Sequence, residues 1–233
     1  MKRWMLILVA SLALGAGWPL ARASASTDSK TTSAKVTVKS DLSTDPVPPV
    51  DPDGSGNPFP GDSNDPNNQG TGSRGHLTLD YISNLKFQQQ GITGNFITAT
   101  ATNSRAFVQI SDRRGTGKGW SLMLKPEPLV GQQDASTITA ATLSLGYAYF
   151  LSSGANITKA PSFVAKSALP MNSYSLVARA QDVPGDRQGM GTWLLRLNTK
   201  STDPVSLEVA SSAVTAQQTY KGTLSWLLTD TPQ

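Results

Sequence analysis

Residues 220–233 read YKGTLSWLLTDTPQ. Tyr220, Gly222, Leu224, Trp226 and Leu228 alternate with Lys221, Thr223, Ser225, Leu227 and Thr229. Successive side chains of a strand point to opposite faces, so this spacing predicts one β-strand with an aromatic–aliphatic face. Lys221, Thr223 and Ser225 mark the opposite face as wet. Upstream, HLTLDYI, NFITATAT, AFVQISD, GWSLMLKP, ATLSLGYAYF, TWLLRLN and PVSLEVA also alternate or run apolar, and RRGTGKG, SSGAN, VPGDRQGMG and STDP separate them. Short period-two segments split by turn residues, with no helical repeat among them, predict an all-β fold: an antiparallel β-sandwich-like single domain over 75–233.

The chain opens MKRWMLILVASLALGAGWPLARASAS. Lys2 and Arg3 precede an apolar core at 5–16 that is short for a membrane span, and Ala21, Ala23 and Ala25 supply A-x-A cleavage spacing. This predicts a secretory signal over 1–25 and no membrane span after its removal. There is no cysteine. Disulfides, thiolate metal sites and lipid attachment at a cysteine are therefore excluded, and the exported domain must rely on a buried core. Together these features suggest a bacterial product.

Residues 26–44, with AKVTVKSDL, read as a tail or an extra strand. Residues 45–74 are rich in Pro, Asp, Gly and Asn and read as a disordered linker. Within it DPDGSGNPFPGD places Asp51, Asp53, Ser55, Gly56 and Asp62 at calcium-loop positions. Three prolines and the lack of flanking helices favour a solvated linker and no metal. Residues 45–73 carry five Asp and no Lys or Arg, whereas residues 74–233 carry 14 Lys and Arg against 9 Asp and Glu. A basic domain attracts polyanions weakly; nucleic acid is not an expected partner of an exported chain.

Three tryptophans remain after the signal, each in a Trp-x-Leu frame: Trp120 with Leu122, Trp193 with Leu195, Trp226 with Leu228. The terminal stretch resembles the C-terminal signature of the WxL surface proteins of Gram-positive bacteria at Tyr220, Leu224, Ser225, Trp226, Leu228 and Pro232. VQISDRRGTGKGWSL is similar to the family's upstream motif at Asp112, Arg114, Gly115, Gly119, Trp120 and Leu122. LTLDYISNLKF resembles the family's domain start, with Ile82-Ser83 where Val-Pro is common. The resemblance covers 75–233. It implies non-covalent binding to the cell wall at peptidoglycan, and a place among multi-protein surface complexes with WxL-interacting partners. No LPxTG-type motif and no apolar tail are present, so covalent sorting is not expected.

The residues leave two readings of each site open. Trp226 and Leu228 either touch a sugar or a partner, or pack the core. Arg113, Arg114 and Lys118 either grip an anionic wall polymer, or one Arg pairs with Asp112 to hold the turn. Neither a catalytic residue nor a cofactor site is expected. His76 is the sole histidine, Ser83 and Lys86 spell S-x-x-K without its partner motifs, and the acids stand singly.

Overall fold

The computed structural model describes residues 43–232 except 89, 155, 157, 166 and 167. The signal and most of the 26–44 segment lie outside the described residues. The described residues are strand and turn, with a single 3-10 turn among them at Ser211–Ala213.

The described residues form four antiparallel sheets. The first orders Leu77–Ile82 (β1), Phe107–Asp112 (β3), Gly191–Arg196 (β12) and Tyr149–Ser152 (β8) as β1-β3-β12-β8. The second orders Leu224–Thr229 (β15), Trp120–Pro126 (β4), Ser175–Ala180 (β11) and Ser162–Phe163 (β9) as β15-β4-β11-β9. The third orders Leu169–Pro170 (β10), Ala141–Ser144 (β7), Ser206–Ala210 (β13) and Phe96–Thr100 (β2) as β10-β7-β13-β2. Tyr220–Lys221 (β14), Leu129–Gly131 (β5) and Thr137–Ile138 (β6) make a small fourth sheet. Val108 and Ile110 of β3, Leu195 of β12, Trp120, Leu122 and Leu124 of β4, and Val177 and Ala178 of β11 meet in the main core. The sandwich expected from the alternation is present.

The stretch 220–229 is not one strand. Tyr220 and Lys221 pair with Gly131 and Val130 in the small sheet, whereas Leu224 to Thr229 pair with β4. The break falls at Gly222, where a Cβ would lie 2.8 Å from the Leu129 side chain and 3.3 Å from the Glu127 carbonyl. The Glu127 N–H then donates to the Thr223 carbonyl at 2.9 Å. Close backbone approach is what a missing side chain permits. Tyr220 packs instead with Ile138, Ala141 and Val209, and its hydroxyl donates to the Ala216 carbonyl at 3.1 Å.

The 45–74 segment departs from the expected free tether. Val50 and Phe59 pack on Tyr81, Phe107 and Leu194, on the side of the first sheet away from the main core. Phe59 stands edge-on to both Tyr81 and Phe107, with centroids 5.2 and 5.0 Å away. Gln109 of β3 behaves as a strand partner: its Oε1 accepts the Val50 N–H at 2.9 Å, and its Nε2 donates to the Pro48 carbonyl at 3.0 Å. Asp65 is a buried hub that accepts the Asn84 N–H at 2.9 Å and Asn68 Nδ2 at 2.7 Å. The segment's own apolar content is small, but the sheet supplies the rest of the surface. A bulge between Leu79 and Tyr81 makes this possible. It leaves Leu79 and Ile82 on the main core while Tyr81 joins the other cluster, so β1 serves both layers. Burial, with Asp65 nearby, pushes the Tyr81 hydroxyl up to about 12.

Candidate functional site

The turn between β3 and β4 brings the upstream motif together. Arg114 donates to Asp112 through Nε (3.0 Å) and Nη2 (2.8 Å), a two-point pair with an essentially buried carboxylate. The same Nη2 donates to the Gly119 carbonyl at 2.6 Å, which closes the loop on itself. Bonding to Asp112 raises the Arg114 pKa further, and Asp230 adds to that field. Gly115 sits at the exposed tip with φ +68°. Gly119 is buried with φ +73°, and a Cβ there would strike the Ala180 carbonyl. Trp120 and Leu122 are fully buried, and the Trp120 indole donates to the Gly189 carbonyl at 3.1 Å. Asp112, Arg114, Gly119, Trp120 and Leu122 are thus spent on holding the hairpin and the core.

Arg113 is engaged as well. Its Nη2 donates to the carbonyls of Gly75 (2.6 Å) and Asp45 (2.8 Å), tying the segment before β1 to the turn. Lys118 is exposed. The three cations grouped by sequence therefore differ: Arg114 and Arg113 are bonded within the fold, and Lys118 faces solvent.

On β15, Leu224, Trp226 and Leu228 point inward and are half-buried against the main core. Pro232 is half-buried just beyond, where Ser121 Oγ donates to the Thr231 carbonyl at 2.9 Å. Trp193, in the third frame, is 5% exposed and its indole donates to the Met190 carbonyl.

The outward face of this sheet holds residues that the sequence reading passed over. Leu227, Met123 and Leu176 stand opposite one another on β15, β4 and β11. Leu227 is 41% exposed and the other two half-buried, so an apolar row crosses three strands on the solvent side. Beside it runs a polar row. Ser225 Oγ donates to Glu127 at 2.7 Å, Lys125 pairs with Glu127 at 3.1 Å, and the Lys125 ammonium lies 5.5 Å over the ring of Tyr174. Ser225, then Lys125, hold Glu127 below the usual carboxylate range. Tyr174 is 42% exposed. The signal in the sequence was Leu227 itself, an apolar residue on the face otherwise marked as wet.

Residues weighed for other chemistry have structural work. Ser83 Oγ accepts the Phe107 N–H at 3.0 Å, and Asp51 pairs with Arg105. Asp53 accepts the Ser55 N–H, while Asp62 accepts the Asn64 N–H and Asn103 Nδ2. The three acids of the calcium-like spacing thus serve separate partners. Among the described residues no helix is long and apolar enough to cross a membrane.

Comparison with curated proteins and with solved structures finds no match. A family model does match, described as WxL domain surface cell wall-binding, over residues 25–232. That is nearly the whole chain, and it reaches further upstream than the motifs alone had indicated. With both motifs in place on adjoining strands of one sandwich, the chain belongs to the WxL domain surface cell-wall-binding family.

Proposed function

We propose that this domain holds the protein non-covalently on the peptidoglycan of a Gram-positive wall, and that the outward face of the β15-β4-β11-β9 sheet makes the contact. Membership of the family makes it a surface protein of the cell wall. The observation that carries the choice of face is the division within the motif strands. Trp120 and Leu122 are buried in the fold and Arg114 is bonded to the buried Asp112 carboxylate, while Leu227 on β15 and Tyr174 just before β11 stay exposed. An exposed aromatic ring presents an apolar face to a sugar, and the adjoining Ser225, Lys125 and Glu127 offer donors and acceptors of both charges.

The apolar row Leu227–Met123–Leu176 favours a second reading, a protein-interaction subunit retained on the wall through a WxL-interacting partner, because contiguous exposed apolar surface marks protein contacts. Both readings place the contact on the same face. Leu227→Asp and Tyr174→Ala, each melting close to the unsubstituted protein, should together weaken binding to whole Gram-positive cells by about tenfold, roughly 1.4 kcal/mol. Unchanged binding by the folded double variant would remove this face from the account.

A further inference from the structure

The 45–74 segment covers the outer face of the first sheet only in part. Leu151 of β8 stands opposite Leu194 of β12, and both belong to the cluster that Val50 and Phe59 close. Earlier on β8, Tyr149 stands opposite Arg196. Residues opposite one another in a ladder share a face, as do residues two apart along a strand, so Tyr149 and Arg196 continue this outer face beyond the cluster. The Tyr147 ring lies beside that of Tyr149, with centroids 5.7 Å apart and planes tilted by 45°, and the Lys200 ammonium stands 5.5 Å over it. Tyr147 is 45% exposed, Tyr149 half-buried and Lys200 exposed.

Backbone contacts fix this group. Gly146 has φ +59°, and a Cβ on it would lie 2.4 Å from the Asp203 and Pro204 carbonyls, so the turn before β8 presses on the turn before β13. The Tyr147 N–H donates to the Asp203 carbonyl at 2.9 Å, and the Asp203 N–H to the Lys200 carbonyl at 3.0 Å. Asn198 Nδ2 donates to the Ala101 and Asn103 carbonyls at 3.0 and 2.8 Å, and its Oδ1 accepts the Val205 N–H at 3.1 Å. The backbone that carries the rings and Lys200 is therefore in place before a ligand arrives, which lowers the ordering cost of binding.

Charge and composition say what fits here. Among the described residues Lys200 and Arg196 have no carboxylate partner: Arg196 donates to the Pro52 and Ser104 carbonyls, and Asp51 pairs with Arg105. Asp203, the acid on the Lys200 turn, is exposed. The large apolar group exposed at this end is the Tyr147 ring, without the aliphatic row that accompanies Leu227. A protein contact draws on such aliphatic surface. An aromatic ring with cations beside it suits instead a ligand that has an apolar face, a polar edge and a negative charge. We propose that Tyr147, Tyr149 and Lys200, with Arg196 at the rim, form a second binding site, for a saccharide that carries an acidic group. The first and second sheets meet through the main core, so this site looks away from the wall contact proposed on the second sheet. It goes beyond that contact and stands without it.

NMR titration of the secreted chain tests the site. The acidic probe is a soluble oligosaccharide of alternating N-acetylglucosamine and N-acetylmuramic acid; chitotetraose supplies the sugar ring without the acid. The acidic probe should shift the amides of 146–149 and 199–203, and chitotetraose should bind there about tenfold more weakly. Lys200→Glu and Tyr147→Ala replace exposed side chains, so each should melt like the unsubstituted protein and bind the acidic probe about tenfold more weakly. Tyr147→Phe keeps the ring and should bind as before. Unchanged binding by Lys200→Glu or Tyr147→Ala, or equal affinity for the two probes, would overturn the proposal. Shifts confined to the face of Leu227 would support the wall contact there and overturn this site. A response to poly(glycerol phosphate) alone would reduce the group to a charged surface and overturn it equally.

Discussion

At Arg114 geometry separates the two readings of a basic turn. A lone arginine on a glycine loop suits an anionic ligand, but this one is bonded through two nitrogens to a buried carboxylate and through one of them to the Gly119 carbonyl as well. Arg114→Ala strands Asp112 without its cation, and should lower stability by about 3 kcal/mol in thermal or denaturant unfolding. Trp120→Ala should cost about 3–5 kcal/mol, and Trp226→Ala, half-buried on β15, distinctly less. Equal losses would show that the two tryptophans are buried alike. Asp80 carries a pH dependence. It is buried beneath the 45–74 segment, where it accepts hydrogen bonds from Thr78, Ser111 and Gln109 and lies within the field of Arg113. Burial nevertheless raises its pKa above the ordinary value. The folded state therefore prefers the protonated acid: the stabilisation is complete below the unfolded pKa of about 3.9 and is lost as pH rises through the folded value. Relative to Asp80→Asn, the unsubstituted protein should gain stability between neutral pH and pH 4. A flat difference across that range would contradict the assignment.

At the scale of elements, period-two alternation made most strands legible, because one buried face imposes it directly on the residues. Other features escaped. β11 and the short β5, β6, β9 and β10 lie outside the segments read as strands, and β3, though read from AFVQISD, is buried on both faces, the second of which is the surface that holds the 45–74 segment. That segment's composition describes how it would behave alone, not against a sheet that offers Tyr81, Phe107 and Leu194. Phe59→Ala should accordingly cost about 2 kcal/mol. A free tether predicts no change in melting at all. The break at Gly222 escaped because the alternation runs straight through it from Tyr220 to Leu228, while the close approach of Leu129 depends on a strand far away in sequence. The hairpin residues Asp112, Arg114 and Gly119 could be picked out by motif, but their role could not be decided without the carbonyl and carboxylate they bind. The face with Leu227, Met123 and Leu176 stayed hidden because register places those residues side by side and no local pattern does.

For the whole molecule, the motif strands build the sandwich, and the proposed function gives contact with the wall to their outward face. Lys118 at the exposed turn adds a screened charge at most, so Lys118→Glu should lower binding to walls bearing teichoic acid only at low salt, and leave it unchanged near physiological ionic strength where screening acts over about 8 Å. A loss that persists at high salt would make the turn part of the contact. Whether the domain itself binds peptidoglycan is decided by co-sedimentation of the purified secreted chain with sacculi stripped of both protein and teichoic acid. Direct binding predicts saturable sedimentation with the bare sacculi, unchanged when surface proteins are added back. Sedimentation that appears only after surface proteins are restored would contradict the claim and leave the partner-bound reading in its place.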